Sequence, residues 1–418
     1  QFLNALAERS ITMLCEEDSC DDGVVGMALW ALSQADDLSL AWTLVEHAPA
    51  ASSVSLGALL SACERRGMLD EELRLWDRLC HHGLHSVAMN AKVLRLFEVG
   101  KVDSARMELQ AAASAGMFDK ISKALWHVCG APVQHVPCAM RLPAFGEPHE
   151  KELRLLAHVL QHAQMGDAAS VCQEVERFGR EILAPAGQWL KIAGAEKADV
   201  LVEALRTAPT TGRAGICWVL EVGTYCGYSA VRMAMSRPNC HVVSIEADPA
   251  CVAIARSIAA FAGLSHVVTV WTGHSQDVLP WLSMTNAATR FGALFLDQRG
   301  ARFSTDLAVL EASGLLLPGA VVIADNVLKP GAPAYLWHMV YGGDYTTHIV
   351  SVKEFAMPDT EDWMSVSYYH PLHPEILRRA TPPLVIRRLE WEADRIRMRA
   401  QACGIGSGVG FSEWSRFA

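Results

Sequence analysis

The sequence predicts a doubly wound α/β sheet behind an all-α region of helical repeats. From residue 217 onward, short apolar runs rich in β-branched residues alternate with segments of helical spacing. That alternation marks buried parallel strands with helices on both faces. The run Val219-Leu220-Glu221-Val222-Gly223 ends in an acid and a glycine turn, and the run ending at Ala324 is followed by Asp325 and Asn326. Upstream, residues 1–120 read as helices whose turns return at an offset of 33 residues.

The repeat is visible in Arg66-Gly67-Met68-Leu69-Asp70, which returns as Val99-Gly100-Lys101-Val102-Asp103, and in Gly83, which returns as Gly116. Trp42 and Trp76, 34 residues apart, hint at a weaker earlier copy. A period of this length with glycine between helical stretches reads as a solenoid of helix pairs. Residues 59–117 resemble pentatricopeptide repeats, a family that often binds single-stranded RNA. RNA is disfavoured here, because residues 1–120 carry 18 acidic against 10 basic residues, a net of −8, and phosphate binding wants the opposite sign. A helical spacer or a protein-docking surface is the expectation.

Residues 121–150 hold Pro132, Pro137, Pro143 and Pro148 with Gly130 and Gly146 and read as a linker. Residues 151–178 return to helical spacing through Leu155, Leu156, Val159 and Leu160. Strands are then expected at 217–222, 241–246, 267–271, 291–297 and 320–325, with helices at 228–236, 249–262, around 276–282 and at 302–316. Residues 345–353 and 363–369 add two late strands that include an antiparallel edge. The α/β unit is read over 151–370. Residues 371–418 form a basic helical tail in which Arg378, Arg379, Arg387, Arg388, Arg395, Arg397 and Arg399 accompany Leu384, Ile386, Leu389, Ile396 and Met398. Glu390, Glu392 and Asp394 dilute its charge, and the acidic repeat region is its expected docking surface.

The net charge of −10 gives no global reason to bind nucleic acid or an anionic membrane. The longest apolar stretch, around 315–324, contains Pro318 and Gly319 and is too short to span a bilayer. The twelve cysteines are scattered, with no CxxC and no zinc-like spacing, so reduced and mostly buried thiols are expected. That favours a reducing compartment, and a cytoplasmic location is the expectation. The chain begins at Gln1 rather than Met, which reads as a trimmed start beyond which a targeting segment is not judged.

Ligands of open α/β sheets bind beyond the carboxyl ends of the strands. Glu221, Gly223 and Gly227 lie at the end of the first strand, and Glu246 closes the second, 25 residues after Glu221. An acid there suits two ribose hydroxyls and disfavours a 2′-phosphate. The turn is not GxGxxG, and no lysine follows as in a P-loop. S-adenosylmethionine, which is cationic and has no phosphate, fits better than a dinucleotide or a triphosphate. Asp297, Asp325 and Asn326 place three oxygens at neighbouring strand ends, a hard partial shell suited to Mg²⁺.

The segment Leu220-Glu221-Val222-Gly223-Thr224-Tyr225-Cys226-Gly227-Tyr228-Ser229-Ala230-Val231-Arg232-Met233-Ala234 resembles the cofactor motif of the catechol O-methyltransferase family. So do Phe261-Ala262-Gly263, Ser275-Gln276-Asp277, Phe295-Leu296-Asp297, and Ala324-Asp325-Asn326-Val327 with Pro330-Gly331-Ala332-Pro333. The likeness runs from about Lys151 to Tyr369. It implies a Rossmann-like methyltransferase sheet. It implies that Glu221, Gly223, Tyr225, Tyr228 and Ser229 contact the amino-acid part of the cofactor, with Asp297 beside them. Glu246 would hold the ribose, and Ser275 and Gln276 would flank the adenine. Asp297, Asp325 and Asn326 would bind Mg²⁺, with Asn326 also facing the substrate. Glu354 would accept from the second catechol hydroxyl, and Trp189 and Pro330 would wall the ring.

The sequence departs from the family at one place that matters. The family has a lysine three residues after the first metal aspartate, acting as general base; here that position is Gly300, preceded by Gln298 and Arg299. Losing a general base costs about 10²–10⁴-fold in rate. Lys191, aligned with a family methionine, is the expected replacement if burial beside the metal lowers its pKa; Lys329 is a weaker candidate. Arg299 could recruit a substrate carboxylate. The leading expectation is an S-adenosylmethionine- and Mg²⁺-dependent O-methyltransferase for catechol-like small molecules. The alternatives are a weakened cofactor-binding module, or an RNA- or protein-binding repeat protein with a secondary methyltransferase domain.

Overall fold

The structure is a computed structural model of the 418-residue chain. It describes residues 22–34, 38–48, 51–128, 140, 147–285, 289–371 and 381–402. Most of the expected linker, residues 372–380 of the tail and everything beyond 402 lie outside the described residues.

The N-terminal region runs through α1 (Asp22–Ser33), α2 (Ser39–His47), α3 (Ser53–Arg66), α4 (Leu69–Leu79), α5 (His85–Glu98), α6 (Val102–Ser114) and α7 (Lys120–Val128). The repeated sequence is a repeated way of ending a helix. Gly67 at φ 66° and Gly100 at φ 76° close α3 and α5. Met68 N–H reaches back to Cys63 O at 2.9 Å, and Lys101 N–H to Leu96 O at 2.8 Å. That is the six-to-one closure of a left-handed C-terminal cap, which favours glycine. The chain then reverses into α4 and α6, giving two helix pairs one period apart. α7 corrects the linker boundary, since residues 121–128 are helical. Asp119 caps α7 through the backbone N–H groups of Ile121 and Ser122 and accepts both bonds from Asn90 Nδ2, so this stretch packs as part of the repeat region.

The sheet is built from β1 (Cys217–Val222), β2 (Cys240–Glu246), β3 (Val268–Thr272), β4 (Phe291–Leu296), β5 (Leu316–Ala324), β6 (Tyr345–Glu354) and β7 (Met357–Tyr369). Its order is β3-β2-β1-β4-β5-β7-β6. β1 to β5 are parallel, and β7 runs antiparallel to both β5 and β6, as the late strands predict. Successive residues point to opposite cores. Val219, Phe295, Val321 and Ile323 join one apolar cluster, while Leu220, Leu294, Leu296, Val322 and Ala324 join the other. Both faces are covered, which is why these strands read as unbroken apolar runs.

The connecting helices are α8 (Glu150–His162), α9 (Ala168–Arg177), α10 (Glu196–Leu205), α11 (Tyr228–Met235), α12 (Pro249–Phe261), α13 (Ser275–Thr285), α14 (Phe303–Ala312), α15 (Pro333–Tyr341) and α16 (Leu384–Ala402). Strand order reverses at β1, between β2 and β4, which opens a crevice at the carboxyl ends of these strands. None of the helices among the described residues is long and apolar enough to cross a membrane.

The cap at Gly100 yields a direct expectation. Nothing lies within 4 Å of a Cβ placed there, so Gly100→Ala tests backbone conformation alone. It should destabilise the chain by about 1 kcal/mol, and Gly100→Asn by less. Urea midpoints of the two variants check this.

Candidate active site

β1 delivers Glu221 and the turn 223–227 to the crevice. Gly223 has φ 91°, and a Cβ there would stand 2.7 Å from Asp297 O. Glycine therefore lets the β1 turn touch the end of β4 and join the two halves of the site. Gly227, at φ 86°, brings the start of α11 against α12, where a Cβ would meet Ala255 Cα at 3.0 Å. Between them Tyr225 holds a left-handed φ of 50°. Its N–H donates to Glu246 Oε2 at 2.9 Å, and its hydroxyl donates to Glu152.

Glu246 also accepts from Asp248 N–H at 3.0 Å, and burial pushes its carboxyl up to about 7. Glu221 is fully buried. One of its oxygens accepts from Ser244, while Oε1 is buried without a hydrogen-bond partner among the described residues. Burial raises its pKa, against the hydroxyls of Ser229, Ser244 and Thr224. An orphaned carboxylate oxygen at a glycine turn fits the ammonium of an amino-acid moiety. Ser229 is buried beside it. Tyr228 is also buried, but its hydroxyl is given to Glu176 of α9, so it belongs to the packing between helices. At the end of β3, Ser275 is buried and Gln276 is exposed at the start of α13.

The second half of the site is a cluster of acids around one lysine. Lys197, at the start of α10, is fully buried. Its ammonium donates to Asp325 Oδ1 at 2.9 Å, Glu354 Oε2 at 2.7 Å and Asp362 Oδ2 at 3.0 Å. Asp362 accepts in turn from Asn326 Nδ2 at 2.8 Å and from Lys329 N–H at 3.0 Å. Asn326 holds φ 54° at the strand end, a conformation Asn tolerates better than most residues. Asp297 follows β4 one strand away. Burial, then the neighbouring charge of Asp325, holds the Asp297 carboxyl well above the usual range, and Lys197 offsets only part of this. Burial raises Asp325 to about 6, against the opposing pull of Lys197. For Lys197, burial would lower the pKa, but Asp325, Glu354 and Asp362 outweigh it and keep the ammonium charged.

One ammonium thus pairs with three carboxylates, those of Asp325, Glu354 and Asp362, while Asp297 adds a fourth acid nearby. The residual negative charge and the all-oxygen donors fit a hard divalent cation such as Mg²⁺. Asp297, Asp325 and Asn326 are the residues that would hold it. Sequence reading missed Lys197 and Asp362. Asp362 had a signal: it lies in phase with the inward-facing Met364 and Val366 of β7, where an unpaired acid would be costly. Lys197 had none in its local sequence.

Three expectations are corrected. Lys191 is exposed rather than buried beside the acid cluster. Arg299 is not free to meet a substrate carboxylate; it pairs with Asp394 of α16, through Nε at 2.6 Å and through Nη2. The tail helix α16 does not dock on the acidic repeat region. Its own acids decide its place. Asp394 takes Arg299, and Glu390 accepts from Ala334 N–H at 2.9 Å. Arg397 adds a bond to Gly331 O at 3.1 Å. Trp189 is 37% exposed on the loop after α9, and Pro330 lies half-buried after β5.

Fold, glycine turn and acid cluster together define a methyltransferase, and comparison with known proteins agrees. The family described as "Methyltransferase domain" matches residues 220–327. Catechol O-methyltransferase of Bos taurus is 39% identical over 208 residues, which is 49% of this chain and 72% of that protein. Catechol O-methyltransferase of Mus musculus is 35% identical over 207 residues, 49% of this chain and 74% of that one. Among solved structures, the O-methyltransferase TomG of Streptomyces achromogenes, in complex with SAM, is 22% identical with a TM-score of 0.39, covering 48% of this chain and 89% of that one. An O-methyltransferase from Bacillus cereus, in complex with SAH, is 20% identical with a TM-score of 0.38, covering 52% and 90%. The chain belongs to the catechol O-methyltransferase family.

Two expectations follow for the ligand-free protein. Lys197→Met leaves buried acids without their counter-ion and should cost about 3–5 kcal/mol. Mg²⁺ should restore part of the lost melting temperature, whereas it should do less for the wild type. The second concerns pH. Burial holds the Glu246 carboxyl at about 7 in the folded protein, above the ordinary glutamate value of 4.5. Its contribution is therefore intact below the ordinary value and is lost as pH rises through about 7. Melting temperatures should fall between pH 5 and pH 8, and Glu246→Gln should flatten that fall.

Proposed function

We propose that the chain transfers a methyl group from S-adenosylmethionine to a hydroxyl of a catechol-like small molecule, with Mg²⁺ as the metal. The observation that carries this reading is the contact of Gly223 with Asp297 O. It joins a glycine-turn cradle with an unpaired buried acid, Glu221, to an all-oxygen acid cluster, Asp297, Asp325 and Asn326. In this reading Glu221 takes the cofactor's ammonium, Glu246 accepts from the ribose hydroxyls, and Ser275 and Gln276 border the adenine. Mg²⁺, when bound, lowers the pKa of the acceptor hydroxyl and fixes its orientation. Trp189 and Pro330 flank the acceptor ring.

Lys197 is held protonated and so serves as a fixed counter-charge rather than a base. Lys191 is exposed and Gly300 has no side chain. Glu354, half-buried and hydrogen-bonded to Lys197, would accept a proton or hydrogen bond from the acceptor's second hydroxyl in this reading. The helix pairs of 59–117 fit a pentatricopeptide-like unit, which we read as an acidic platform that packs on the enzyme.

The test is transfer of labelled methyl from S-adenosylmethionine to 3,4-dihydroxybenzoate, with Mg²⁺ and with EDTA. Turnover should require Mg²⁺, and Glu354→Gln should lower kcat by about 10²–10⁴-fold. Cofactor binding without transfer to any member of a panel of catechols would overturn the catalytic reading and favour a binding module.

A further inference from the structure

One face of α3 is among the surfaces that join the N-terminal helices to the cofactor half of the sheet. Ser53, Gly57, Ser61 and Glu64 are spaced so that they lie along one side of a helix. Each meets one of two loops. Ser53 Oγ donates to Asp248 Oδ1 at 3.2 Å and lies 2.9 Å from His149 Nε2. A Cβ on Gly57 would stand 2.7 Å from Ala247 O and 3.1 Å from Pro249 Cδ. A Cβ on Gly273 would stand 2.1 Å from Ser61 Oγ. Glu64, only 3% exposed, accepts from Thr272 N–H, Thr272 Oγ1 and Arg256 Nη2, each at 3.0 Å. From α1, Trp30 Nε1 and Gln34 Nε2 donate to the two oxygens of Asp277 at 3.1 and 3.3 Å.

These loops are the ones that bracket the proposed adenosine site. Residues 247–249 follow Glu246 directly, and 272–277 contain Ser275 and Gln276. They are tied together by Gly273 N–H to Glu246 O at 2.7 Å. We propose that α3 is a working part of the cofactor site: Glu64, with Ser53, Gly57 and Ser61, sets the positions of the β2 and β3 ends that receive the adenosine. They are positioning residues, acting through Glu246, Ser275 and Gln276. The inference rests on the reading that S-adenosylmethionine binds at these strand ends. The acid cluster lies at the ends of β4 and β5, strands with which α3 makes none of the contacts above, so its metal affinity should be independent of α3.

Calorimetric titration of the full chain with S-adenosylhomocysteine and, separately, with Mn²⁺ tests this. Glu64→Ala should weaken S-adenosylhomocysteine binding by about tenfold. Glu64→Gln, which keeps a carbonyl acceptor for Thr272, should recover part of it, and Gly57→Val should match Glu64→Ala. Mn²⁺ affinity should stay within about twofold in each variant. Amide hydrogen exchange at 246–248 and 272–277 should quicken in the variants. A single cooperative melt identifies those that fold, and Glu64→Gln carries the test should the others not. Unchanged cofactor affinity in folded variants would overturn the proposal, as would a parallel loss of both affinities. If the wild type itself binds no S-adenosylhomocysteine, the functional reading falls first and this inference with it.

Discussion

The site depends on one buried ammonium. Lys197 comes from a helix that precedes the sheet, yet it reaches acids at the ends of β5 and β6 and within β7. Burying any one of these charges alone would cost several kcal/mol. Burying them together, with Asp362 also bonded to Asn326 and to the Lys329 backbone, turns that cost into a constraint on geometry. Asn326 is oriented because its amide donates to Asp362. Glu354 is drawn to the cluster because Lys197 pairs with it. One lysine remains too little charge for Asp297, Asp325, Glu354 and Asp362, a deficit that would suit a divalent cation.

The other half of the site is governed by close backbone approach. At Gly223 and Gly227 the positive φ and the missing Cβ are both used. The first sets β1 against β4, and the second sets α11 against α12. Glu246 then serves as a strut. Its two oxygens accept backbone N–H groups from Tyr225 and Asp248, so the β1 turn and the β2 loop move as one body. Gly223 against Asp297 O carries that rigidity across to the acid cluster. A cofactor placed on the β1 turn and a metal placed at Asp297 would therefore share a fixed separation, which a transfer between bound partners requires.

Legibility from sequence followed the range of the interaction. The parallel strands were readable because burial on both faces removes polar residues from the run, and their carboxyl ends were readable because acids and glycines interrupt it. Glu221, Glu246, Asp297 and Asp325 are therefore found where the sequence puts them. The 33-residue period was readable because Gly67 and Gly100 close helices through local bonds. Lys197 was not readable, because its partners lie more than a hundred residues downstream and no local pattern separates it from an exposed lysine. Lys191 misled because an aligned position says nothing about burial. The tail helix was misplaced because counting its arginines ignored which of its acids had a fixed partner.

Gly300 and the tail helix are best understood as one arrangement. Gly300 is buried, and a Cβ on it would lie 2.9 Å from Arg397 Nη2 and 2.9 Å from Gly331 O. Its backbone is not left-handed, so what favours glycine there is space. That space is taken by a guanidinium delivered by α16, which is anchored on both sides by Arg299 with Asp394 and by Ala334 with Glu390. The helix thereby staples the loop after β4 to the loop after β5, the two loops that follow Asp297 and Asp325. A longer side chain at 300 would have to displace Arg397 and with it the bond to Gly331 O. Absence of the family lysine and presence of the helix are thus sterically linked. The brace on these two loops, which a side chain at 300 would disturb, is supplied by α16.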